Sequence, residues 1–303
     1  MATNVFSVLN TAKVGLLAQQ LAIEVTGNNI ANVQTEGYSR QEVGFEAKNP
    51  RNFSLGQLGT GVHVVGVKRA HDQFLFSQIL GEGETLGQFE VRKDVFEQLE
   101  VLFSESNGQS LNKSLSKFFS SLQDLATNPA GLPERSTLLS EGQNLVSTFN
   151  NLGNSLFQIQ RNLDETIQVE AVKINSLASE IAELNQAIHA SEPVPFSAND
   201  LRDRRDLKLK NLSELIDLNY VDEMDGQISL TLGNGTPLVL KSTALSLSTQ
   251  LNGNNKGFKE IIISGLNGTT SNVTSELRGG SLKGLIDMRD NEVKAIKDKL
   301  DRL

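Results

Sequence analysis

The chain has 303 residues, no Cys, no Trp, two Tyr, fourteen Phe and a formal net charge of -8. The absence of Cys excludes disulfides, thiolate chemistry and Cys-based metal sites, and the acidic balance gives no overall attraction to nucleic acid. No run approaches the eighteen apolar residues of a membrane-spanning helix, so no membrane insertion is expected. The length is that of about two domains. The first residues lack the basic n-region and compact apolar core of a cleaved signal peptide, so a protein working outside the cell would need another export route.

Residues 4–34 read as one helix. Leu9, Leu16, Ile23 and Ile30 recur every seven residues, beside the small residues Ala12, Gly15, Ala18 and Ala22. Small side chains let helices approach closely, and strict sevens suit helix–helix packing. Two readings are open: a surface helix lying on this chain's own core, and a helix that packs against copies of itself. The strict repeat favours the second. A lone amphipathic helix of this length is marginal in water, so residues 1–34 are expected to be mobile or disordered in the isolated subunit and ordered only in an assembly. The segment then runs Thr26-Gly27-Asn28-Asn29-Ile30-Ala31-Asn32-Val33-Gln34-Thr35-Glu36-Gly37-Tyr38-Ser39-Arg40. Gly27 and three Asn residues weaken helix propensity, and Gly37 suits a left-handed stop. Nothing in this string resembles a catalytic group. The string does resemble the N-terminal signature of the bacterial flagellar axial proteins, which comprise rod, hook and hook-associated proteins. Its ending, Gly37-Tyr38-Ser39-Arg40-Gln41, is similar to the hook-associated protein 1 family of the hook–filament junction.

Residues 41–70 turn β-leaning. Val43 and Phe45 alternate with polar neighbours, and 61–67 read as a strand. Gly56, Gly59 and Gly61 lack the Lys-Ser/Thr of a phosphate loop and read as a turn. His63 and His71 have no third ligand nearby, so no metal site is expected. A second helix covers about 72–104, with Phe89, Phe96 and Phe103 every seven residues, a row expected in the core, and Ile79 and Leu86 on the adjacent row. After the Asn107-Gly108 turn, residues 110–127 form a third helix, with Leu111, Leu115, Phe118, Phe119, Leu122 and Leu125 on one face.

From Pro133 to Ala190 there is almost no helix breaker. Leu145, Phe149, Leu152, Leu156, Ile159 and Leu163 alternate steps of four and three, as do Ile174, Leu177, Ile181, Leu184 and Ile188. Such steps keep one seam facing partner helices. The eleven-residue step from Leu163 to Ile174 is a stutter that locally unwinds the supercoil. This is expected to be an elongated rod, stopped by Pro193 and Pro195. Ser197-Ala198-Asn199-Asp200 resembles a capping box opening a short helix to about Ile216. Its run Leu201-Arg202-Asp203-Arg204-Arg205-Asp206 reads as a solvated face of i,i+4 charge pairs.

Residues 218–277 are β, with Ile228, Leu230 and Leu232 alternating with polar residues and Asn/Gly turns between short strands. Gly279-Gly280-Ser281 then opens a helix in which Ile286, Val293 and Leu300 form one row. Leu282, Ile296 and Leu303 form the other, with Arg289 in its fourth slot. The pattern is still running at Leu303, as expected of a partial chain. The 201–206 run and the stretch Gly279 to Asp290 also resemble the hook-associated protein 1 family, which gives three anchors in order along the chain.

The expected fold is mainly α with an inserted β domain: an elongated antiparallel helical bundle or coiled coil plus a small β domain. Residues 1–35 would be an N-terminal axial assembly helix, and 36–217 with 278–303 the elongated helical domain, β-leaning at 41–70. Residues 218–277 would be the inserted β domain. No catalytic, cofactor-binding or metal residues are expected, since three scattered His and no Gly-x-Ser-x-Gly or His-Glu-x-x-His string make poor enzyme material. The resemblance implies a structural subunit that polymerises at the hook–filament junction of the extracellular flagellum, exported through the flagellar type III apparatus. Its partners would be copies of itself, hook protein, the next junction protein and an export chaperone. Its subunit contacts would fall on Leu9, Leu16, Ile23, Ile30, Asn28, Asn29, Asn32 and Tyr38, and the resemblance places the partner of residues 4–34 both in a C-terminal segment outside this sequence and in neighbouring subunits. The alternative is an adhesin-like binding module on a coiled-coil stalk.

Overall fold

The structure is a computed structural model that describes residues 2–53, 56–104, 111–191, 198–265 and 267–302. The Asn107-Gly108 turn, Pro193, Pro195, Ser197 and Leu303 lie outside the described residues. The helices are α1 (Ala2–Ala31), α2 (Gln73–Phe103), α3 (Leu111–Thr127), α4 (Leu132–Ser191), α5 (Asn199–Leu215), α6 (Gly280–Asp287) and α7 (Val293–Leu300). The strands are β1 (Gln41–Ala47), β2 (Arg51–Phe53), β3 (Gly56–Leu58), β4 (Val62–Arg69), β5 (Leu218–Asp222), β6 (Ile228–Leu232), β7 (Pro237–Leu240), β8 (Thr243–Ala244), β9 (Ser246–Leu251), β10 (Lys259–Ser264) and β11 (Thr270–Asn272). Long helices with small antiparallel sheets make the chain mainly α, as expected.

The chain divides into two compact units. The first comprises Met1–Glu82, Ser176–Leu212 and Leu218–Leu245, and the second Gly83–Asn175, Ser213–Asp217 and Ser246–Leu303. The strands after residue 217 therefore fall into two sheets. One has the order β5-β6-β7-β8 and belongs to the first unit; the other has the order β11-β10-β9 and belongs to the second.

In the first unit, β1 and β4 form an antiparallel pair from Gln41↔Arg69 to Ala47↔Val62, with a bulge at Gly44/Phe45. The Asp72 carboxylate accepts from the amides of Phe74 and Leu75 at 2.9 and 3.1 Å and so caps the start of α2. The alternation of β6 buries Ile228, Leu230 and Leu232. Asn185 of α4 bonds both backbone groups of Ile228: its amide donates to the carbonyl at 2.8 Å, and its oxygen accepts from the N–H at 3.2 Å.

In the second unit, α4 supplies the core seam. Leu152, Leu156, Leu163 and Ile174 are buried as the spacing predicts, and the eleven-residue step is filled by Ile167 and Ala171, also buried. Steps of four, four and three bridge the stutter, which is why the helix needs no break there. α6 passes through a π-helical turn, Met288–Glu292, into α7. Arg289 lies within that turn, and its side chain is fully buried. Its guanidinium donates to Asp164 at 2.6 Å, to both carboxylate oxygens of Asp290 at 2.8 Å and to the Lys259 carbonyl at 2.9 Å, and lies 5.3 Å over the Phe258 ring. A charge taken so far from water persists only when its donors are matched this completely.

Two expectations are corrected here. The Phe89–Phe96–Phe103 row of α2 is exposed, not core; the buried side of this helix carries Val95 and Leu99. That side also carries glycine. A Cβ on Gly87 would lie 1.9 Å from the Glu214 carbonyl oxygen, and one on Gly83 2.7 Å from Ser213 Oγ. Backbone approaches backbone at Gly87, and the Ser213 side chain fills the space at Gly83, so the bulky residues point away from this side. On α3 only Ser121 is buried, and Phe119 and Leu122 are exposed.

These placements separate two apolar residues of one composition class. Leu156→Asp puts a carboxylate into a fully buried site and should cost several kcal/mol. Phe89→Ser should shift stability by no more than about 0.5 kcal/mol. Thermal melts of the two variants check this; equal losses would contradict the assignment of the core.

Candidate assembly surface

α1 has two faces of unequal bulk. Thr11, Gly15, Ala18, Ala22, Val25 and Asn29 follow one another by steps of four and three and share one side of the helix. This small-residue side faces the β1–β4 hairpin. Ala18 is 3% exposed. Gly61, just before β4, has φ +102, and a Cβ there would sit 3.2 Å from Thr11 Cγ2. Only glycine combines that backbone angle with that proximity.

The lower end of α1 is fixed by Asn29. Its amide donates to the Gln41 carbonyl at 2.9 Å, and its oxygen accepts from the Gln41 N–H at 2.9 Å and from the Tyr38 hydroxyl at 2.8 Å. Burial, followed by the carboxylates of Asp200 and Asp203, raises the Tyr38 pKa, so the phenol keeps its proton and serves as donor. Asn32 donates to the Asn28 carbonyl and side chain at 3.0 and 2.5 Å and accepts from Thr35 at 3.1 Å, which holds the helix end together. Gly37, at φ +77, turns the chain where a Cβ would meet Leu207 of α5 at 3.1 Å.

The expectation of a solvated face on α5 is corrected by burial of Asp203 and Arg205. Asp203 accepts from the Ser39 N–H at 3.1 Å and from Arg69 at 2.7 Å, and Asp206 accepts from the same Arg69 at 2.8 Å. Burial opposes the charge of Arg69, but Asp206 and Asp203 outweigh it and hold its pKa above the ordinary value. Arg205 donates to Asn185 at 3.0 Å and to the Gly226 carbonyl at 2.8 Å, and its burial pushes its pKa down to about 10. These ties fix the hairpin against α5, so the platform beneath α1 is itself anchored.

The other side of α1 is open. Leu9, Leu16, Ile23 and Ile30 are 59%, 70%, 72% and 69% exposed, and Phe6 and Val33 are exposed beside them. The sequence row of sevens is thus the outward row. Of the residues read as contact groups, these four aliphatics are presented to solvent. Asn29 and Tyr38 are used within the chain, and Asn28 and Asn32 bond one another. α1 and β1 also bound a groove of about 630 Å³, lined by Val25, Ile30, Val33, Val43 and Phe45 among others. Sequence reasoning found the row but not Thr11, Gly61, Arg69 or Asp203; the glycine at 61 was visible only as a turn signal. No helix among the described residues is long and apolar enough to cross a membrane.

Residues 96–303 match the family of the flagellar hook-associated protein FlgK helical domain, and residues 9–38 match the flagella basal body rod protein family. The chain belongs to the flagellar hook-associated protein FlgK family. It is 35% identical over 269 residues to flagellar hook-associated protein 1 of Bacillus subtilis, covering 86% of this chain and 53% of that one. Against flagellar hook-associated protein 1 of Salmonella typhimurium it is 29% identical over 300 residues, 98% of this chain and 54% of that one. The flagellar hook junction protein FlgK from Burkholderia pseudomallei shares the fold, with TM-score 0.62 and 28% identity over 70% of this chain and 38% of that one. The chain spans about half the length of the curated relatives it matches. The rod match lies on α1 and the turn after it, the segment that carries the open apolar face.

In this FlgK-family chain, Asn29→Ala leaves both backbone groups of Gln41 and the Tyr38 hydroxyl without that partner. The expected cost is about 1–3 kcal/mol, seen as faster amide exchange across Thr11–Ala31. Asn28→Ala, at an exposed position, should change stability by no more than about 0.5 kcal/mol. Unchanged exchange in Asn29→Ala would remove the clamp.

Proposed function

We propose that the chain is a structural subunit that polymerises at the junction of the flagellar hook and filament, with residues 1–35 as its assembly segment. The observation that carries this reading is the outward row Leu9, Leu16, Ile23 and Ile30, held on a docked helix. Burying a Leu or Ile side chain stabilises by about 1.5–3 kcal/mol, and none of the described residues covers these four. Family membership supplies the direction: FlgK relatives are named for the hook, and the rod-protein match covers this same helix. Its partners are then copies of itself, hook protein, the next junction protein and, before assembly, an export chaperone. The subunit works outside the cell, as part of the flagellum. Its mechanism is packing, and no chemical step is required of it.

The reading separates assembly from stability. Leu16→Asp with Ile23→Asp should leave the melting temperature of the isolated subunit nearly unchanged yet abolish incorporation onto hooks, scored by electron microscopy. A drop of several degrees in the isolated subunit, with incorporation intact, would return the row to the chain's own core.

A further inference from the structure

Arg289 and Arg205 are both buried, yet only one of them has its charge matched. On Arg289 the Nε–Nη2 edge of the guanidinium holds both oxygens of Asp290, and Nη1 holds Asp164. On Arg205 both hydrogen bonds leave from Nη1, and both end on neutral oxygens, Asn185 Oδ1 and the Gly226 carbonyl. Its buried Nε has no partner among the described residues. Asp206, its neighbour in sequence, pairs with Arg69 instead. Burial pulls the Arg205 pKa down to about 10, and the like charges of Arg202 and Arg69 work against the help of Asp206 and Asp222. A buried guanidinium whose donors are not matched is costly.

Arg205 lines a cavity of about 390 Å³ in the first unit, walled by α5, the start of α2, β5 and the β5–β6 turn. Nη1 is taken, so what Arg205 offers the cavity is its Nε–Nη2 edge. The acidic groups of the wall are already engaged: Asp206 accepts from Arg69 at 2.8 Å, Asp222 from Gln73 at 2.6 Å and Glu223 from Ser229 at 2.8 Å. With His71 neutral, Arg69, Arg202 and Arg205 balance these three carboxylates, so the wall carries no surplus for a doubly charged anion. The wall is also aromatic. Phe76 and Tyr220 meet edge to face at 6.0 Å, and His71 lies 5.2 Å from Phe76. The volume falls at the lower end of small-molecule sites, which run from roughly 300 to 1,000 Å³. No residue of the outward α1 row lines it.

We infer that this cavity binds a small monocarboxylate with an apolar body, its two oxygens on the Nε–Nη2 edge of Arg205 and its body against Phe76 and Tyr220. A guanidinium edge matches the two oxygens of a carboxylate, as Asp290 shows on Arg289 of this same chain. Nη2 meets the ligand first, and the buried Nε lies beside it on the same edge. The balanced wall selects against phosphate, whose second charge would add to those of Asp222 and Glu223 with no cation left to answer it. Arg205 also holds the Gly226 carbonyl, so an occupied site fastens the β5–β6 turn to α5. A ligand that binds only the folded chain, present at ten times its Kd, multiplies the folding constant about elevenfold.

The guanidinium itself can report the ligand. In the intact isotope-labelled chain, the Nε–Hε resonance of Arg205 is assigned through its own backbone and followed as sodium benzoate is added. Benzamide, acetate and phosphate serve as the neutral, the truncated and the doubly charged comparisons. Benzoate should shift the resonance saturably in the millimolar range, and benzamide should bind at least about tenfold more weakly because it lacks the charge. Acetate should also be weaker, phosphate should have no effect, and the Arg289 resonance should stay in place because Asp290 holds it. Benzoate should raise the melting temperature, and the rise should vanish in Arg205→Lys; should that variant not fold, the resonance of the unsubstituted chain decides alone. No saturable shift with benzoate overturns the site, and so does an equal shift at Arg289. Benzamide or phosphate binding as well as benzoate overturns the monocarboxylate, and acetate binding as well overturns the apolar body. A shift that follows protein concentration with no benzoate present puts an acidic side chain of a second copy in the cavity and overturns the small-molecule ligand.

Discussion

Three asparagine side chains join helices to strands in the same way. Asn29 on α1 bonds both backbone groups of Gln41, Asn175 on α4 does so with Leu247 at 2.7 and 2.8 Å, and Asn185 on α4 does so with Ile228. A primary amide offers a donor and an acceptor side by side, the pattern left unpaired by an edge strand, and by the start of β6 at Ile228, which β7 does not reach. Asparagine can therefore finish a sheet from a neighbouring helix without supplying another strand. Such a bond pair fixes position along the strand as well as contact. A leucine at the same place would bury more apolar surface but would leave a strand N–H and carbonyl unsatisfied.

Close approach of backbones sets the second constraint. A Cβ on Gly280 would lie 2.4 Å from the backbone of Ile216, and one on Gly284 3.0 Å from the Gln88 carbonyl oxygen. With Gly83 and Gly87 these positions bring α2, the end of α5 and α6 together within the second unit. A helix that touches its neighbours through glycine must turn its large residues elsewhere, and α2 turns Phe89 and Phe96 to solvent. α1 follows the same logic on the hairpin with Thr11 against Gly61 and with the buried Ala18.

This explains what could be read in advance and what could not. The α4 seam and the alternation of β6 were legible because there the large apolar residues are the buried ones. On α1 and α2 the period was read correctly and the direction on α2 was not: heptad spacing locates a row but does not say which side of the helix it serves. Small residues beside a row were the signal, used for α1 and missed for Gly83 and Gly87. Ile167 and Ala171 were overlooked because one is a single aliphatic and the other a small residue inside a polar stretch. Arg289 was noted as a polar residue in an apolar slot, but its partners Asp164 and Lys259 come from distant parts of the chain, which no local pattern reports. The charge run on α5 looked solvated for the same reason: Arg69, its counter-ion, lies more than a hundred residues away.

The docking of α1 on its hairpin changes when conformational entropy is lost. Fixing one residue's backbone costs about 1–2 kcal/mol, so a thirty-residue segment ordered only on contact would set a large unfavourable term against every assembly step. Asn29, Ala18 and the Thr11–Gly61 contact move that term into folding of the subunit. What remains for association is the immobilisation of a few short aliphatic side chains and of the subunit as a whole. The outward row then meets its partner as a preformed surface, and modest burial suffices to add one more copy.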